Sequence, residues 1–267
     1  MVGELEHSLR NPVKEKIAAG GVASSMTLRM VAANDAVMIA GAAGFDSLYV
    51  DLEHSGFSIQ ATGHIATMAL AAGIACFVRV PANTPEYISR VLDVGALGII
   101  APGVRSAVEA RAVVDAAKYP PIGRRGISGA LPHFRYRPVP AAQALPALNA
   151  ATMVIVQFES EASLERAEEI VAVEGVDMVL IGTNDLLADM GLPGQFDHEK
   201  IRGAYLRTIE ICRRHDKHVG VGGLASRPDL VETFVKAGAR YVSTGTDIQF
   251  LLEAATKRAQ QVAAIEV

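Results

Sequence analysis

The feature that most constrains the fold is an eightfold alternation of short apolar runs with Ala-rich amphipathic segments. The apolar runs are continuous, which is typical of parallel strands covered on both faces. The predicted strands are Val22–Thr27, Leu48–Asp51, Cys76–Val80, Gly98–Ala101, Met153–Phe158, Met178–Ile181, His218–Gly222 and Tyr241–Ser243. The predicted helices are Met30–Gly41, Ile59–Ala72, Pro85–Val94, Ser106–Lys118, Glu161–Val171, His198–His215, Pro228–Ala237 and Ile248–Val262. Eight such units favour a closed (β/α)₈ TIM barrel, a single domain over residues 1–267, rather than an open doubly wound sheet.

Composition agrees with this fold and narrows the function. Half of the residues are apolar, which is enough for a large core, and the formal net charge of -4 comes without a basic stripe. We therefore do not expect a nucleic-acid partner. The chain has neither a secretory signal nor an apolar stretch of membrane-spanning length, so we expect a soluble cytoplasmic protein. Cys76 and Cys212 form no Cys-x-x-Cys motif and are expected to be buried, reduced thiols.

Two acidic residues stand just beyond two of the predicted strands. Glu159 follows Met153–Phe158 directly, and Asp185 comes shortly after Met178–Ile181. In a parallel barrel the carboxyl ends of all strands open into one mouth, so acids from successive units converge there. A pair of carboxylates in that position is suited to a hard divalent cation. The sequence therefore predicts a metal site built on Glu159 and Asp185.

Polar residues also follow the second and third strands. Arg79 could bind a carboxylate with its planar guanidinium, or it could form a structural ion pair. His54 could pass protons, a common role of histidine. In an extended strand end, Asp51 and Glu53 share one side and His54 the other. We assign the side facing the barrel axis to His54, which leaves Glu53 as a supporting or interface acid.

One connection is far longer than the others. The segment of about 119–150 is rich in proline and glycine and falls between the fourth and fifth strands. Long loops in compact domains tend to be functional. We interpret this segment as an active-site excursion that covers the substrate and reaches toward a neighbouring subunit. The alternative is a disordered surface insertion.

Several motifs occur in order along the chain. They are Gly44-Phe-Asp-Ser-Leu-Tyr-Val-Asp-Leu-Glu-His54, Val78-Arg79-Val80, Val91-Leu-Asp-Val-Gly-Ala96, Tyr119-Pro-Pro-Ile-Gly-Arg-Arg-Gly126, Val156-Gln-Phe-Glu159, Val173-Glu-Gly-Val-Asp177 and Ile181-Gly-Thr-Asn-Asp-Leu186. Taken together, these motifs resemble the HpcH/HpaI family of class II, metal-dependent pyruvate aldolases. The similarity covers roughly residues 20 to 250.

The resemblance implies a role for each site residue. Glu159 and Asp185 would hold the divalent metal, with Mg, Mn or Co expected and Zn as a further option. Arg79 would stabilise enolate charge, His54 would act as the acid/base, and Asp93 would raise its basicity. The 2-oxo acid would be positioned by Gln157 and by the segment Gly182, Thr183, Asn184 and Asp185.

The expected reaction is reversible cleavage of a 4-hydroxy-2-oxo acid to pyruvate, or a related 2-oxo acid, and an aldehyde. No lysine follows a strand at the mouth, which argues against a Schiff-base aldolase. Relatives usually carry Pro-Ala where this chain has Thr183-Asn184, so the donor is open. Oxaloacetate decarboxylation, a citrate-synthase-like condensation and a non-catalytic binding barrel are the alternatives. The resemblance also implies a homo-oligomer, a hexamer built as a trimer of dimers that exchange a C-terminal helix.

Overall fold

The computed structural model describes residues 9–266 and contains a closed barrel of eight parallel strands in sequential order. Each strand pairs with the next along the chain, and the last pairs with the first. The strands are β1 (Ala23–Leu28), β2 (Ser47–Asp51), β3 (Ala75–Arg79), β4 (Gly98–Ala101), β5 (Met153–Phe158), β6 (Met178–Gly182), β7 (His218–Gly222) and β8 (Tyr241–Thr246). The predicted (β/α)₈ barrel is confirmed, and strand ends differ from the predicted ones by at most three residues.

Helices surround the barrel and connect its strands. They are α1 (Pro12–Ala18), α2 (Asp35–Ala43), α3 (Ile59–Ala72), α4 (Pro85–Asp93), α5 (Ala107–Ala117), α6 (Ala141–Ala151), α7 (Glu161–Glu165), α8 (Ala167–Val171), α9 (Thr183–Asp189), α10 (Glu199–Arg214), α11 (Pro228–Ala237) and α12 (Asp247–Ala263). A short 3₁₀ helix spans Pro132–Phe134. Within residues 9–266, none of the helices combines the length and apolar composition that a membrane-spanning segment requires.

Three helices were not predicted from the sequence. Helix α6 begins after Pro140 and contains Pro146, so its prolines suggested irregular structure. Helix α9 is short and begins directly at the end of β6, where a loop was expected. Helix α1 lies below the barrel and closes its amino-terminal end, with Val13 and Ile17 packed into the barrel interior.

The barrel interior and the layer between strands and helices form separate apolar clusters. Inside the barrel, the rings of Phe77 and Tyr241 lie 5.9 Å apart between centroids and fill the lower part. This packed floor means that the barrel is not a pore. Polar side chains accumulate at the carboxyl-terminal mouth above it.

The long connection lies at the rim opposite the mouth, contrary to the expectation that it covers its own active site. Helix α5 carries the chain back to the amino-terminal rim before the connection begins. There His133 Nε2 lies 3.1 Å from the carbonyl oxygen of Ala96, just before β4. Lys118 Nζ and the Tyr119 amide likewise bond to Asn149, close to the start of β5, both at 2.8 Å. The expected contact of this connection with a neighbouring subunit remains a prediction.

Candidate active site

A cavity of about 390 Å³ opens at the carboxyl ends of the strands. Its walls come from β1, β2, β3, β5, β6, β7 and β8 and from the loops that follow them. A second cavity, also about 390 Å³, lies beside it, and His54 and Asp185 line both. All the predicted site residues except Asp93 line one or both of these cavities. They are His54, Arg79, Gln157, Glu159, Gly182, Thr183, Asn184 and Asp185.

Glu159 and Asp185 line the second cavity together. Glu159 follows β5 and is half-buried, and its Oε2 accepts a hydrogen bond from the Gly103 amide at 2.8 Å. Burial raises the pKa of Glu159, and the charges of Asp185 and Glu53 raise it further. Burial and the neighbouring carboxylates therefore oppose the ionisation of Glu159, and the charge of Arg79 offsets them only in part.

These residues fit a divalent cation. Two carboxylates of like charge face one cavity, and the charge of a bound cation would offset the burial and the repulsion from Asp185, which both raise the pKa of Glu159. In the described part of the chain, no cluster of three or more His, Cys, Asp or Glu side chains could hold a metal by itself. Water and substrate oxygens would then complete the shell, as is usual for Mg²⁺.

Arg79 stands at the end of β3 in a network of carboxylates. Its Nε and Nη2 donate to both oxygens of Asp51, and its Nη1 lies 2.9 Å from Glu53 Oε2. Burial opposes the ionisation of Asp51, but the hydrogen bond and charge of Arg79 outweigh it, so the pKa of Asp51 is lowered. The sequence left open whether Arg79 forms a structural ion pair or is available to a ligand. In the structure Arg79 forms the ion pair and also lines the cavity.

His54 and Glu53 lie near each other, although strand alternation had predicted opposite sides. Strand β2 ends at Asp51, and the chain bends over the next residues, so the alternation does not continue. His54 Nε2 lies 3.7 Å from Glu53 Oε2, and both residues line the second cavity. Glu53 is thus part of the site, where it contacts Arg79 and lies beside His54.

Asp93 does not meet His54 within this chain. It ends α4 at the amino-terminal rim, where it pairs with Arg125. Helix α4 runs antiparallel to the strands, so its last residue and the mouth lie at opposite ends of the barrel. Within residues 9–266, the carboxylate in range of His54 is that of Glu53.

The segment from Gly182 to Asn184 forms one wall of the first cavity. The Thr183 hydroxyl is buried and donates to the Gly222 carbonyl oxygen at 2.6 Å, so this side chain points away from the cavity. Asn184 is exposed, and its amide nitrogen lies 3.4 Å from the Gly223 carbonyl oxygen. Gln157 is buried at the cavity, and its Oε1 has no hydrogen-bond partner among the described residues.

The sequence interpretation missed Arg29. It follows β1 at the mouth, lines the first cavity and places Nε 3.0 Å from Asp51 Oδ2. The rule that identified Arg79, a polar residue just beyond a strand, applies equally to Arg29. Further cavity residues that sequence reasoning did not single out are Thr27, Tyr49, Ser226, Ser243, Thr246 and Gln249.

Fold and site together define a (β/α)₈-barrel enzyme whose active site lies at the carboxyl-terminal mouth. The family model for HpcH/HpaI aldolase/citrate lyase matches residues 26–254. The chain belongs to this family, and it is a carbon–carbon lyase of the aldolase type. Family membership supports a divalent metal ion as cofactor and small molecules as substrates.

Similar proteins span nearly the whole chain. A 4-hydroxy-4-methyl-2-oxoglutarate aldolase, tasA of Hapsidospora irregularis, is 37% identical over 260 residues and covers 96% of each chain. A 4-hydroxy-2-oxo-heptane-1,7-dioate aldolase of Escherichia coli is 33% identical over 253 residues, covering 92% of this chain and 93% of its own. The crystal structure of an HpcH/HpaI aldolase from Desulfitobacterium hafniense DCB-2 superposes with a TM-score of 0.89 at 31% identity, covering 95% and 97%.

Proposed function

We propose that the enzyme reversibly cleaves a 4-hydroxy-2-oxo acid to pyruvate, or a related 2-oxo acid, and a carbonyl acceptor. The observation that carries this proposal is the grouping of Glu159, Asp185, Arg79 and Gln157 around one mouth. The named aldolases at 33–37% identity support it.

The side chains present can perform the proton transfers of such a cleavage. His54 accepts the proton of the 4-hydroxyl group, the C3–C4 bond breaks, and its electrons pass toward the 2-oxo oxygen. Arg79 places positive charge where that oxygen gains negative charge. Return of a proton to C3 completes the 2-oxo acid product. A divalent cation held by Glu159 and Asp185 would supply Lewis acidity at the 2-oxo acid.

The cation is proposed to be Mg²⁺, Mn²⁺ or Co²⁺, with Zn²⁺ as a further option, because the protein donors are oxygen atoms. Gln157 and the segment from Gly182 to Asp185 are proposed to position the 2-oxo acid. Because Asp93 does not reach His54, we assign Glu53 as the carboxylate that acts on His54 within one chain.

Two measurements test this function. Pyruvate release from a 4-hydroxy-2-oxo acid should require added metal after chelation, and pyruvate methyl protons should exchange with D₂O under the same conditions. Glu159→Gln and Asp185→Asn should each weaken Mn²⁺ binding in calorimetry. Asp189→Asn is a matched control, because Asp189 lines the same cavity but accepts from the Glu161 amide at 2.8 Å.

Undiminished Mn²⁺ affinity in both variants would contradict the ligand assignment. Faster turnover of oxaloacetate than of any 4-hydroxy-2-oxo acid would instead favour a decarboxylase or a condensing enzyme. A wild-type protein that binds metal but turns over none of these compounds would favour the non-catalytic barrel.

We also propose that the enzyme is a homo-oligomer in which α12 is exchanged between subunits and that the complete assembly is a hexamer. Phe250 packs on Phe45, with ring centroids 6.1 Å apart, and the helix beyond it is exposed. Its exposed apolar residues include Leu251 at 59% and Leu252 at 65%, which is a surface suited to a partner subunit. Light scattering on the wild type and on a Leu251→Glu, Leu252→Glu variant measures the mass directly. An unchanged mass in the variant would contradict the helix exchange.

A further inference from the structure

We propose that Arg29 is a specificity-determining residue that binds a carboxylate on the acceptor half of the substrate. This inference rests on the proposed aldol cleavage. It concerns the part of the substrate that leaves as the carbonyl product, which the residues around Glu159 and Asp185 do not contact in the proposed function.

The guanidinium of Arg29 has hydrogen-bond donors that bind no acceptor among residues 9–266. Its Nε lies 3.0 Å from Asp51 Oδ2 but without hydrogen-bond alignment. Asp51 already accepts two hydrogen bonds from Arg79 and two from backbone amides. Within residues 9–266, neither Nη group of Arg29 donates a hydrogen bond, and the one residue with which Arg29 forms an ion pair is Asp51. A guanidinium with free Nη groups at a cavity is a ready partner for a carboxylate.

The location of Arg29 assigns it to the acceptor half. Glu159 follows β5, and Arg29 follows β1, four strands away on either path around the closed barrel. The two residues therefore stand on opposite sides of the mouth. A substrate whose 2-oxo acid end lies at Glu159 and Asp185 would extend past Arg79 toward Arg29, since Arg79 and Arg29 lie 2.7 and 3.0 Å from the same Oδ2 of Asp51.

The backbone that carries Arg29 is fixed in place. Asp247 at the start of α12 is buried, and its carboxylate accepts from the amides of Arg29, Met30 and Val31 at 3.1, 2.9 and 2.7 Å. Such anchoring lowers the ordering cost of binding, because the residue that binds the ligand is preorganised. The neighbouring side chains that line the cavity here are neutral: Thr246 is the register partner of Thr27, and Gln249 lies one turn beyond.

Charge around the mouth also favours this assignment. Glu159 and Asp185 would be balanced by a divalent cation, and the opposite charges of Arg105 and Asp189 at the second cavity offset each other, which leaves Asp51 and Glu53 against Arg79 and Arg29. Without Arg29, this group would carry a net negative charge and would repel an acceptor bearing a carboxylate. With Arg29, the net charge of the group is zero. A second carboxylate then meets the positive guanidinium of Arg29 rather than an excess of acids.

The test measures condensation of pyruvate with glyoxylate, which carries a carboxylate on its carbonyl carbon, and with acetaldehyde, which does not. The ratio of the two kcat/KM values in each variant cancels the intrinsic reactivity of the acceptors. Arg29→Gln should lower this ratio by about 30-fold or more, as expected for a lost charge-paired hydrogen bond. Arg29→Lys should restore part of it, because the charge remains but the fork is lost.

Arg90→Gln is the control, since Arg90 is exposed on α4 away from the mouth. Circular dichroism verifies that each variant is folded. An unchanged ratio in Arg29→Gln and Arg29→Lys would overturn the inference and leave the proposed function intact. A similar loss for glycolaldehyde phosphate relative to glycolaldehyde would replace the carboxylate assignment with a general anion site. Absence of condensation and of pyruvate methyl exchange in the wild type would overturn both proposals.

Discussion

Arg79 donates two parallel hydrogen bonds to Asp51, from Nε to Oδ1 at 3.0 Å and from Nη2 to Oδ2 at 2.7 Å. A bidentate pair fixes the plane of the guanidinium as well as its position. The remaining nitrogen, Nη1, lies near Glu53. Asp51 thus acts as a positioning residue for the arginine that we assign to charge stabilisation.

We expect Asp51→Asn to lower kcat by about 10- to 100-fold, which is typical when a supporting partner of a catalytic group is removed. The amide keeps the shape of the side chain but places an N–H₂ group against the guanidinium. Steady-state kinetics would locate the loss in kcat rather than in KM if orientation is the cause. Asp46→Asn is the control, because Asp46 pairs with Lys16 at the other rim. Equal kinetics for Asp51→Asn and the wild type would contradict the positioning role.

Gly182 is predicted to support metal binding, although its φ of -85° suits any residue. An added Cβ would lie 2.7 Å from Gln157 Nε2, 2.9 Å from Glu159 Cγ and 3.1 Å from Glu159 Oε1. These contacts are too short, so Gly182→Ala must displace the Glu159 carboxylate or the Gln157 amide.

We expect Gly182→Ala to weaken Mn²⁺ affinity by about tenfold or more, comparable with the loss of a supporting contact at a metal site. Calorimetric titration with Mn²⁺ measures this directly. Gly56→Ala is the matched control, because a Cβ there would meet no atom within 4 Å. Wild-type Mn²⁺ affinity in Gly182→Ala would contradict a role for Gly182 in metal binding.

Asp247 links stability to acceptor selectivity. Its carboxylate accepts from three consecutive amides of the segment that carries Arg29 and also from the Ile248 amide. Asp247→Ala leaves these donors without partners, and we expect a loss of about 1–3 kcal/mol in the free energy of unfolding. The glyoxylate-to-acetaldehyde ratio should fall as well, because Arg29 loses its fixed backbone.

Urea unfolding and the acceptor ratio would be measured on the same preparations. Asp229→Ala is the control: Asp229 also stands in the first turn of a helix, but it is exposed and pairs with Arg227. A destabilised Asp247→Ala that keeps the full acceptor ratio would separate the two roles and reject the positioning of Arg29.

The strands could be predicted because continuous apolar runs have few alternatives in a chain of this length. The rule that parallel strands open into one mouth then located Glu159, Asp185 and Arg79. The same rule applies to Arg29, but the neighbouring Met30 belongs to a helical pattern, which hides the strand-end position of Arg29 in the sequence.

Other features depend on geometry that the sequence pattern does not contain. The segment of about 119–150 lies at the amino-terminal rim because helix α5 returns the chain to that end of the barrel before the segment begins. The distance between Asp93 and His54 has the same origin, since Asp93 ends a returning helix. Glu53 joined the site because the chain bends after Asp51, which ends the strand alternation.

His133 is expected to make the fold sensitive to mild acid. It is buried within the long connection; its Nε2 lies 3.1 Å from the Ala96 carbonyl oxygen, and its Nδ1 has no partner among the described residues. Burial lowers the pKa of His133 to about 4, although the bond to Ala96 opposes this shift. The unfolded chain binds a proton at this position near pH 6.5, whereas the folded chain does not until the pH approaches 4.

Stability contributed by neutral His133 is therefore complete above pH 6.5 and is lost as the pH falls through the window from 6.5 to 4. Between pH 7.5 and pH 5.0 the loss should be about 2 kcal/mol. Urea unfolding at the two pH values measures it, and His133→Gln removes the titration while keeping a donor for Ala96. His64→Gln, on the exposed face of α3, is the control. If the wild type and His133→Gln lose equal stability over this interval, the fold does not depend on a neutral His133.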